Sequence, residues 1–128
     1  MCNKITFAIA LISCIFLTAC AANRQILNLP NQTTPYHVSE SQIKTCIESA
    51  AASRAWQTRE IKAGLIRASI NSRSHYAEVS IPYSKKGYSI MYYNSRNLQA
   101  KSDGTIHRNY NKWIALLSAG IQKCLASQ

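Results

Sequence analysis

Apolar and polar side chains alternate along the middle of this chain. Ile66, Ala68 and Ile70 are each followed by a polar residue, and the same period of two continues over residues 76–81. Such alternation is typical of strands with one buried and one solvated face, as in an antiparallel meander. Another layer of secondary structure must cover the apolar face, so the chain is limited to a layered fold.

Turn-forming residues divide this region into four strands. The turn signals are Ala63-Gly64, the polar run over residues 71–74 and the run over residues 84–87,. Because the connections are short, consecutive strands should pair with each other. The predicted strands cover residues 56–61, 65–71, 75–83 and 87–93.

A helix is predicted before the strands. Ser39 and Gln42 have the spacing of a capping box, with the Ser39 hydroxyl serving the third helical amide and Gln42 reaching back,. The helix should end near Arg54. Its buried face follows a spacing of three and four residues and consists of Ile43, Cys46, Ile47, Ala50 and Ala51.

A second helix is predicted over residues 108–126. Gly120 lies inside it at a cost of about 1 kcal/mol relative to alanine, and we expect close packing on the sheet to offset that cost. The apolar stripe consists of Tyr110, Trp113, Leu117, Ile121 and Cys124, with Ile114 and Leu125 at its border,.

The order helix, four strands, helix predicts a single α+β domain over residues 39–128. A chain of 128 residues has room for one such domain,. Both helices should cover the same face of a four-stranded antiparallel meander, because the alternation leaves one face apolar and the other polar.

The N-terminus has the features of an export signal. Lys4 precedes an apolar run over residues 5–17, and the run ends in Leu17-Thr18-Ala19-Cys20,. This tetrapeptide matches the lipobox of bacterial lipoproteins, in which the cysteine thiol receives a diacylglyceryl group before cleavage and N-acylation. We therefore expect residues 1–19 to be a cleaved signal peptide and Cys20 to carry the lipid.

Two alternatives for this segment stay open. Residues 5–23 contain no charge and approach the length of an uncleaved transmembrane anchor,. An ordinary cleaved signal would release a protein without an anchor. If Cys20 is lipidated, Ala21 in the next position favours the periplasmic leaflet of the outer membrane over retention in the inner membrane.

Residues 20–38 are predicted to be a lipidated N-terminus followed by a flexible tether. The stretch over residues 21–37 contains two prolines and many Asn, Gln and Thr residues without a sustained period,. A tether of that length would hold the domain some tens of ångströms from the bilayer.

Cys46 and Cys124 would be the thiols left after export, on the first and last predicted helices. In an oxidising compartment they can pair, and a bridge over so long a loop would stabilise the domain by about 2 to 4 kcal/mol. The alternative is that both are buried, reduced thiols.

Three stretches of the chain share a pattern with a known group of proteins. They are Ile81-Pro82-Tyr83, then Gly87-Tyr88-Ser89-Ile90 with Tyr92, Ser95, Asn97 and Leu98, then Ile106-His107 with Tyr110-Asn111 and Trp113. With the lipobox, this pattern resembles a group of small uncharacterised bacterial lipoproteins over residues 39–125. The resemblance implies an exported, lipid-anchored α+β domain and brings no known activity, ligand or catalytic residue.

Catalytic and metal-binding patterns find little support in the sequence. His37, His75 and His107 show no metal-ligand spacing, and no cofactor motif is present,. Alternation places Glu60 and Glu78 on the wet face of the sheet, where cross-strand ion pairs with arginine are their expected role. We expect a protein that is not an enzyme.

Basic residues outnumber acidic ones, 15 Lys and Arg against 5 Asp and Glu. Arg108 is notable because a cation in the first turn of a helix is unfavourable, and a bound anion would offset this. The candidate contacts to an anion or glycan are Arg96, Asn97, His107, Arg108, Lys112, Tyr88 and Tyr110. The alternative is that the tyrosines pack the core and the charges form a solvated surface.

Taken together, these patterns predict a lipid-anchored module of the cell envelope that faces the periplasm. Its partner would be an envelope protein or an anionic glycan, and the exported location argues against nucleic acid. A purely structural lipoprotein is a further alternative. The alternative from another class is a small hydrolase or transferase that uses His107 with Asp103 or a tyrosine.

Overall fold

The computed structural model describes residues 23–128. The signal peptide expected over residues 1–19 and the lipid attachment point Cys20 lie outside the described residues, so these assignments stay predictions. Within the part that is described, no helix is long and apolar enough to cross a membrane.

Seven strands and two helices make up the described chain. Three of the strands lie outside the region that the alternation identified. The elements in chain order are β1 Asn23–Gln25, β2 Leu29–Thr33, α1 Glu40–Ser53, β3 Gln57–Lys62, β4 Leu65–Ser72, β5 His75–Ser84, β6 Gly87–Arg96, β7 Thr105–His107 and α2 Arg108–Ala126.

The strands form two antiparallel sheets. One has five strands in the order β2-β6-β5-β4-β3, and the other is the pair β1-β7. The α+β class with two helices is confirmed, and β3 to β6 are the four strands that the alternation predicted. The four-stranded meander was wrong as a description of the whole, because three further strands join the fold.

The expected tether is part of the fold from residue 23 to residue 33. Strand β2 lies against β6, with Leu29 opposite Ile90 and a bulge before Gln32. Gly87 permits this approach, because a Cβ at that position would collide with the carbonyl oxygen of Gln32. The sequence of β2 does not show a regular alternation of apolar and polar residues, because Asn31 adopts a φ of 51° inside the bulge and interrupts it,.

Strand β1 is held by both β7 and α2. Asn23 pairs with His107 across the two-stranded sheet. The side chain of Asn111 on α2 accepts a hydrogen bond from the Leu27 amide at 2.9 Å and donates one to the Gln25 carbonyl at 2.8 Å. The start of the described chain is therefore fixed beside the start of α2.

Helix α1 has the predicted cap at its first turn. The Ser39 hydroxyl accepts from the Gln42 amide, and the Gln42 side chain accepts from the Ser39 amide. At the other end Ala55 adopts a φ of 63°, and the Trp56 amide donates to the Ala51 carbonyl. This bond and the left-handed conformation of Ala55 are features of a Schellman motif, which ends the helix close to Arg54, as predicted.

One hydrophobic core lies between the inner face of the large sheet and the two helices. The sheet contributes side chains from alternating positions of β4, β5 and β6, among them Ile66, Val79 and Ile90, and these three are 0–1 % exposed. The buried side chains of α2 are Tyr110, Ile114, Leu117, Ser118, Ile121 and Leu125, whereas Trp113 and Cys124 are half-buried. The centre of the apolar stripe is therefore shifted toward Ile114 and Leu125.

The two helices are in close contact. A Cβ on Gly120 would lie 3.3 Å from the Cβ of Ala50, so the glycine allows α2 to pack closely on α1. The prediction that this glycine packs against the sheet was wrong. A disulfide joins Cys46 on α1 to Cys124 on α2, with a Cα–Cα distance of 5.5 Å and a sequence separation of 78. The alternative of two separate thiols therefore does not apply to this structure.

Candidate functional site

Two of the residues expected to contact a ligand are core residues. Tyr88 is 2 % exposed, and its hydroxyl group is hydrogen bonded to Ser118 and Gln122 on α2. Tyr110 is fully buried, with its ring edge-on to that of Tyr92. Burial raises the pKa of the Tyr110 phenol well above its usual value,. Neither ring can stack on a sugar or base, so the packing interpretation is correct for both.

Asn97 has a structural role at the end of β6. Its side chain donates a hydrogen bond to the Ser74 carbonyl at 2.7 Å, and its own carbonyl oxygen lies 2.6 Å from Nδ1 of His75. Its φ of 58° is the left-handed conformation that asparagine tolerates better than most residues,. Asn97 therefore ties the end of β6 to the turn between β4 and β5.

His107 and Asp103 are used by local structure. Nδ1 of His107 accepts the Asn109 amide at 3.2 Å, which caps the N-terminus of α2. The Asp103 carboxylate accepts from both the amide and the hydroxyl of Thr105, and these bonds hold the pKa of that carboxyl below its usual value. The bonds of each group are with its own neighbours in sequence.

The remaining candidates do not form one site with these residues. Arg108 and Lys112 lie on the exposed surface of the first turns of α2. Arg96 lies at the end of β6, where its guanidinium is 4.0 Å from the centre of the Tyr76 ring. The structure thus divides the predicted set between the core, a strand end and a helix start.

The two glutamates have different partners. Glu78 forms the expected cross-strand ion pair with Arg67, at 3.9 Å. Glu60 is paired with Lys44 on α1, at 2.8 Å. The wet-face assignment of Glu60 was wrong, because its register partner Ile66 points into the core and Glu60 therefore lies on the helix side of the sheet.

The outer face of the large sheet holds the most organised group of polar side chains in the described chain. The guanidinium of Arg67 lies 3.5 Å from the centre of the Tyr93 ring and close to Glu78. The side chains of Arg67 and Glu78 are only 15 % and 14 % exposed, so both are largely removed from water. Nε of Arg67 is buried and has no hydrogen-bond partner within the described residues.

Two further arginines extend this group. Arg59 on β3 lies directly opposite Arg67, and Arg96 is stacked on Tyr76. We call the surface formed by these residues the arginine face; it consists of Arg59, Arg67, Tyr76, Glu78, Tyr93 and Arg96. An open cavity of about 220 Å³ on this face is lined by Arg59, Arg67, Tyr76 and Glu78, among others.

The arginine face is electrostatically unbalanced. Three guanidinium groups face one carboxylate, and Arg59 and Arg67 are like charges in directly opposed positions, an arrangement that destabilises a sheet,. The stacking of arginine on tyrosine offsets part of this cost and limits the rotamers of the cations. An anion on this face would relieve the repulsion.

Alternation predicts Arg67, Tyr76 and Glu78 on one face, but not the contact of Tyr93 with Arg67. A bulge shifts the pairing of β5 with β6 between Glu78 and Val79, so that Tyr93 lies beside Arg67. The sequence gives no sign of this bulge. The available signal was the alternation of β6 itself, which places Tyr93 on the face opposite Tyr88 and Ile90.

A larger cavity of about 490 Å³ lies at the turn between β5 and β6, beside β2. Two hydrogen bonds join residues of its lining: the Asn31 amide donates to the Ser89 hydroxyl, and the Lys86 amide donates to the Ser84 hydroxyl. Its lining contains one charged side chain, Lys86, whereas the smaller cavity of the arginine face is lined by Arg59, Arg67 and Glu78.

Residues 23–128 contain no group of three or more His, Cys, Asp or Glu side chains placed to hold a metal ion. Comparison of the chain with protein-family models, with curated proteins and with solved structures gives no match.

Proposed function

We propose that this chain is a lipid-anchored lipoprotein of the bacterial cell envelope whose domain binds an acidic partner through the arginine face. The lipobox ending in Cys20 supports the anchor, and Ala21 after it supports the periplasmic leaflet of the outer membrane,. The domain would then face the periplasm. The partner class is an anionic glycan or an acidic envelope protein.

The observation that carries the binding role is the arrangement of Arg67 between Tyr93 and Glu78. An arginine held over an aromatic ring loses little further conformational entropy when it binds, because its planar group is already oriented. The cavity beside it is lined by both Arg67 and Arg59, so a carboxylate or phosphate oxygen there would meet two cations,.

The exposed ring of Tyr93 fits the same partner class. It is 53 % exposed although Arg67 is stacked on it. Tyrosine rings with one accessible face stack on sugar rings, and guanidinium groups bind the acidic substituents of the same polymer. Acidic glycans are therefore the ligand class that uses both parts of the arginine face.

Binding is favoured over catalysis by the hydrogen bonds of His107 and Asp103, the pair that the sequence offered for catalysis. Nδ1 of His107 accepts the capping hydrogen bond, and the Asp103 carboxylate is bonded to Thr105. None of these hydrogen bonds involves a residue of the arginine face. We therefore assign no hydrolase or transferase activity to His107.

Retention on immobilised envelope glycans tests the role of the arginine face. We expect the double variant Arg59→Gln with Arg96→Gln to bind about tenfold more weakly than the natural protein, since it loses two exposed cations. The matched control is Lys62→Gln with Lys86→Gln, which removes the same charge elsewhere and should bind normally. Equal retention of both variants would contradict this role, and in-cell crosslinking would then identify a protein partner.

Substitution of the lipid attachment point tests the anchor separately. The variant Cys20→Ala should not incorporate labelled fatty acid and should accumulate as the longer precursor, because the peptidase requires the modified cysteine. The measurement is metabolic labelling followed by mass spectrometry of the protein. Normal labelling of Cys20→Ala would refute the anchor.

A further inference from the structure

The lipid attachment point is close to the folded domain along the chain. Ala21 and Ala22 are the residues between Cys20 and Asn23, the first residue of β1. Three consecutive Cα–Cα steps span at most about 11 Å. A lipid on Cys20 would therefore hold β1 against the bilayer, and not on the long tether that the composition suggested.

Strand β1 in turn brings a particular end of the domain to that position. It is paired with β7, which leads directly into α2, and Asn111 on α2 binds the chain just after β1. The turn before β7 is held in place as well, because the Ile26 amide donates to the Gly104 carbonyl at 2.9 Å. We call this group the anchor end; it comprises β1, β7, residues 101–104 and the first turns of α2.

The anchor end is positively charged. Arg24, Lys101, Arg108 and Lys112 are exposed there, and Asp103 is the acidic residue of the same segments. The Asp103 carboxylate is already bonded to the amide and hydroxyl of Thr105. Helix α2 itself contains no acidic residue. The start of α2 also presents the positive end of the helix dipole, which favours phosphate groups.

We propose that the anchor end lies on the anionic lipid headgroups of the bilayer that holds the acyl chains of Cys20. This inference rests on the proposed lipidation, which places the anchor end within reach of the headgroups. Each Lys or Arg near an anionic membrane surface strengthens such a contact, and the contact weakens with salt. The acyl chains supply attachment, and the basic anchor end fixes the orientation of the domain.

The reactivity of individual lysines can be used to measure this orientation. Lys101 and Lys112 belong to the anchor end, whereas Lys85 and Lys86 form the turn at the start of β6. The anchor end joins the other end of that strand, since the His107 amide donates to the Leu98 carbonyl. A ten-residue strand spans about 33 Å, so Lys85 and Lys86 are well separated from the proposed contact,.

The experiment uses the full lipoprotein, purified after acylation in cells and inserted into vesicles with or without phosphatidylglycerol. An uncharged acylating reagent is added, and the rate at each lysine is measured by mass spectrometry. We expect Lys101 and Lys112 to react about fivefold more slowly on the vesicles with phosphatidylglycerol. Lys85 and Lys86 should react at the same rate on both.

Equal rates at Lys101 and Lys112 on the two kinds of vesicle, with the acyl mass present on Cys20, would overturn this inference and leave the anchor intact. An unmodified Cys20 would overturn the anchor and the inference together. The variant Lys112→Gln should reduce the protection of Lys101, and Lys123→Gln, near the far end of the same helix, should not. Equal protection of Lys101 in both variants would also count against the contact.

Discussion

The inner face of the large sheet is covered by two helices, whereas the outer face is open and carries the arginine face. Inner positions such as Ala68, Val79 and Ile81 are fully buried. Outer positions of the same strands hold Arg67 and Glu78, which remain partly in contact with water. Folding therefore determines the inner residues, because apolar side chains occupy them, and leaves the outer positions able to hold polar and charged residues.

The largest effect we expect on the inner face comes from the disulfide. Replacing both Cys46 and Cys124 by alanine should lower the free energy of unfolding by about 4 kcal/mol, because the bridge closes a loop with a sequence separation of 78,. Urea denaturation of the natural and variant proteins measures the difference. Reduction of the natural protein should give a similar loss. If neither treatment changes the urea midpoint, the helices are held by packing alone.

A smaller effect of opposite sign is expected for Tyr110→Phe. The Tyr110 hydroxyl is buried and has no partner within the described residues, so its removal should stabilise the protein by about 1 kcal/mol at neutral pH,. The exposed residue Tyr36, in Tyr36→Phe, is the matched control and should have no effect. The measurement is again the free energy of unfolding.

Tyr110→Phe should also change how the free energy of unfolding depends on pH in the alkaline range. The pKa of Tyr110 is raised in the folded state, so above about pH 10 the unfolded chain loses this proton while the folded chain keeps it,. Stability of the natural protein should therefore fall as the pH rises through this range, and Tyr110→Phe should fall less steeply. Identical slopes for the two proteins would show that Tyr110 ionises normally in the folded state.

The smallest effect is expected on the outer face. Arg59→Gln with Arg96→Gln should change the free energy of unfolding by less than about 0.5 kcal/mol, because both side chains are exposed,. The pair of measurements, weaker glycan retention with unchanged stability, would separate the functions of the two faces. A loss of several kcal/mol would instead assign the arginines to folding.

Local patterns were sufficient for much of the fold. The capping box of Ser39 and Gln42 and the alternation of β4 and β5 involve residues close in sequence, so they could be recognised directly. Strands β1 and β2 could not, because their partners are distant in the chain and a bulge interrupts β2. Composition alone identified that segment as a tether.

The candidate site was harder to predict, for a related reason. Tyrosine occurs both in cores and at binding surfaces, and the sequence could not show that Tyr88 and Tyr110 are buried whereas Tyr93 is exposed. The pairing of β6 with β5 also changes at Tyr93, where a bulge interrupts the register. Arg67 was expected to pair with a carboxylate, and its stacking on Tyr93 appears only once that register is known.

The pairing of β1 with β7 also determines when the domain can complete its folding. Leu27 is bonded to Asn111, 84 residues later in the chain, and the disulfide waits for Cys124 near the C-terminus. A chain that emerges from its N-terminus cannot complete these contacts until α2 has emerged too, and contacts of such long range form slowly. Completion of the fold is thus one of the last events in the synthesis of the chain, because it needs residues near both ends of the described segment.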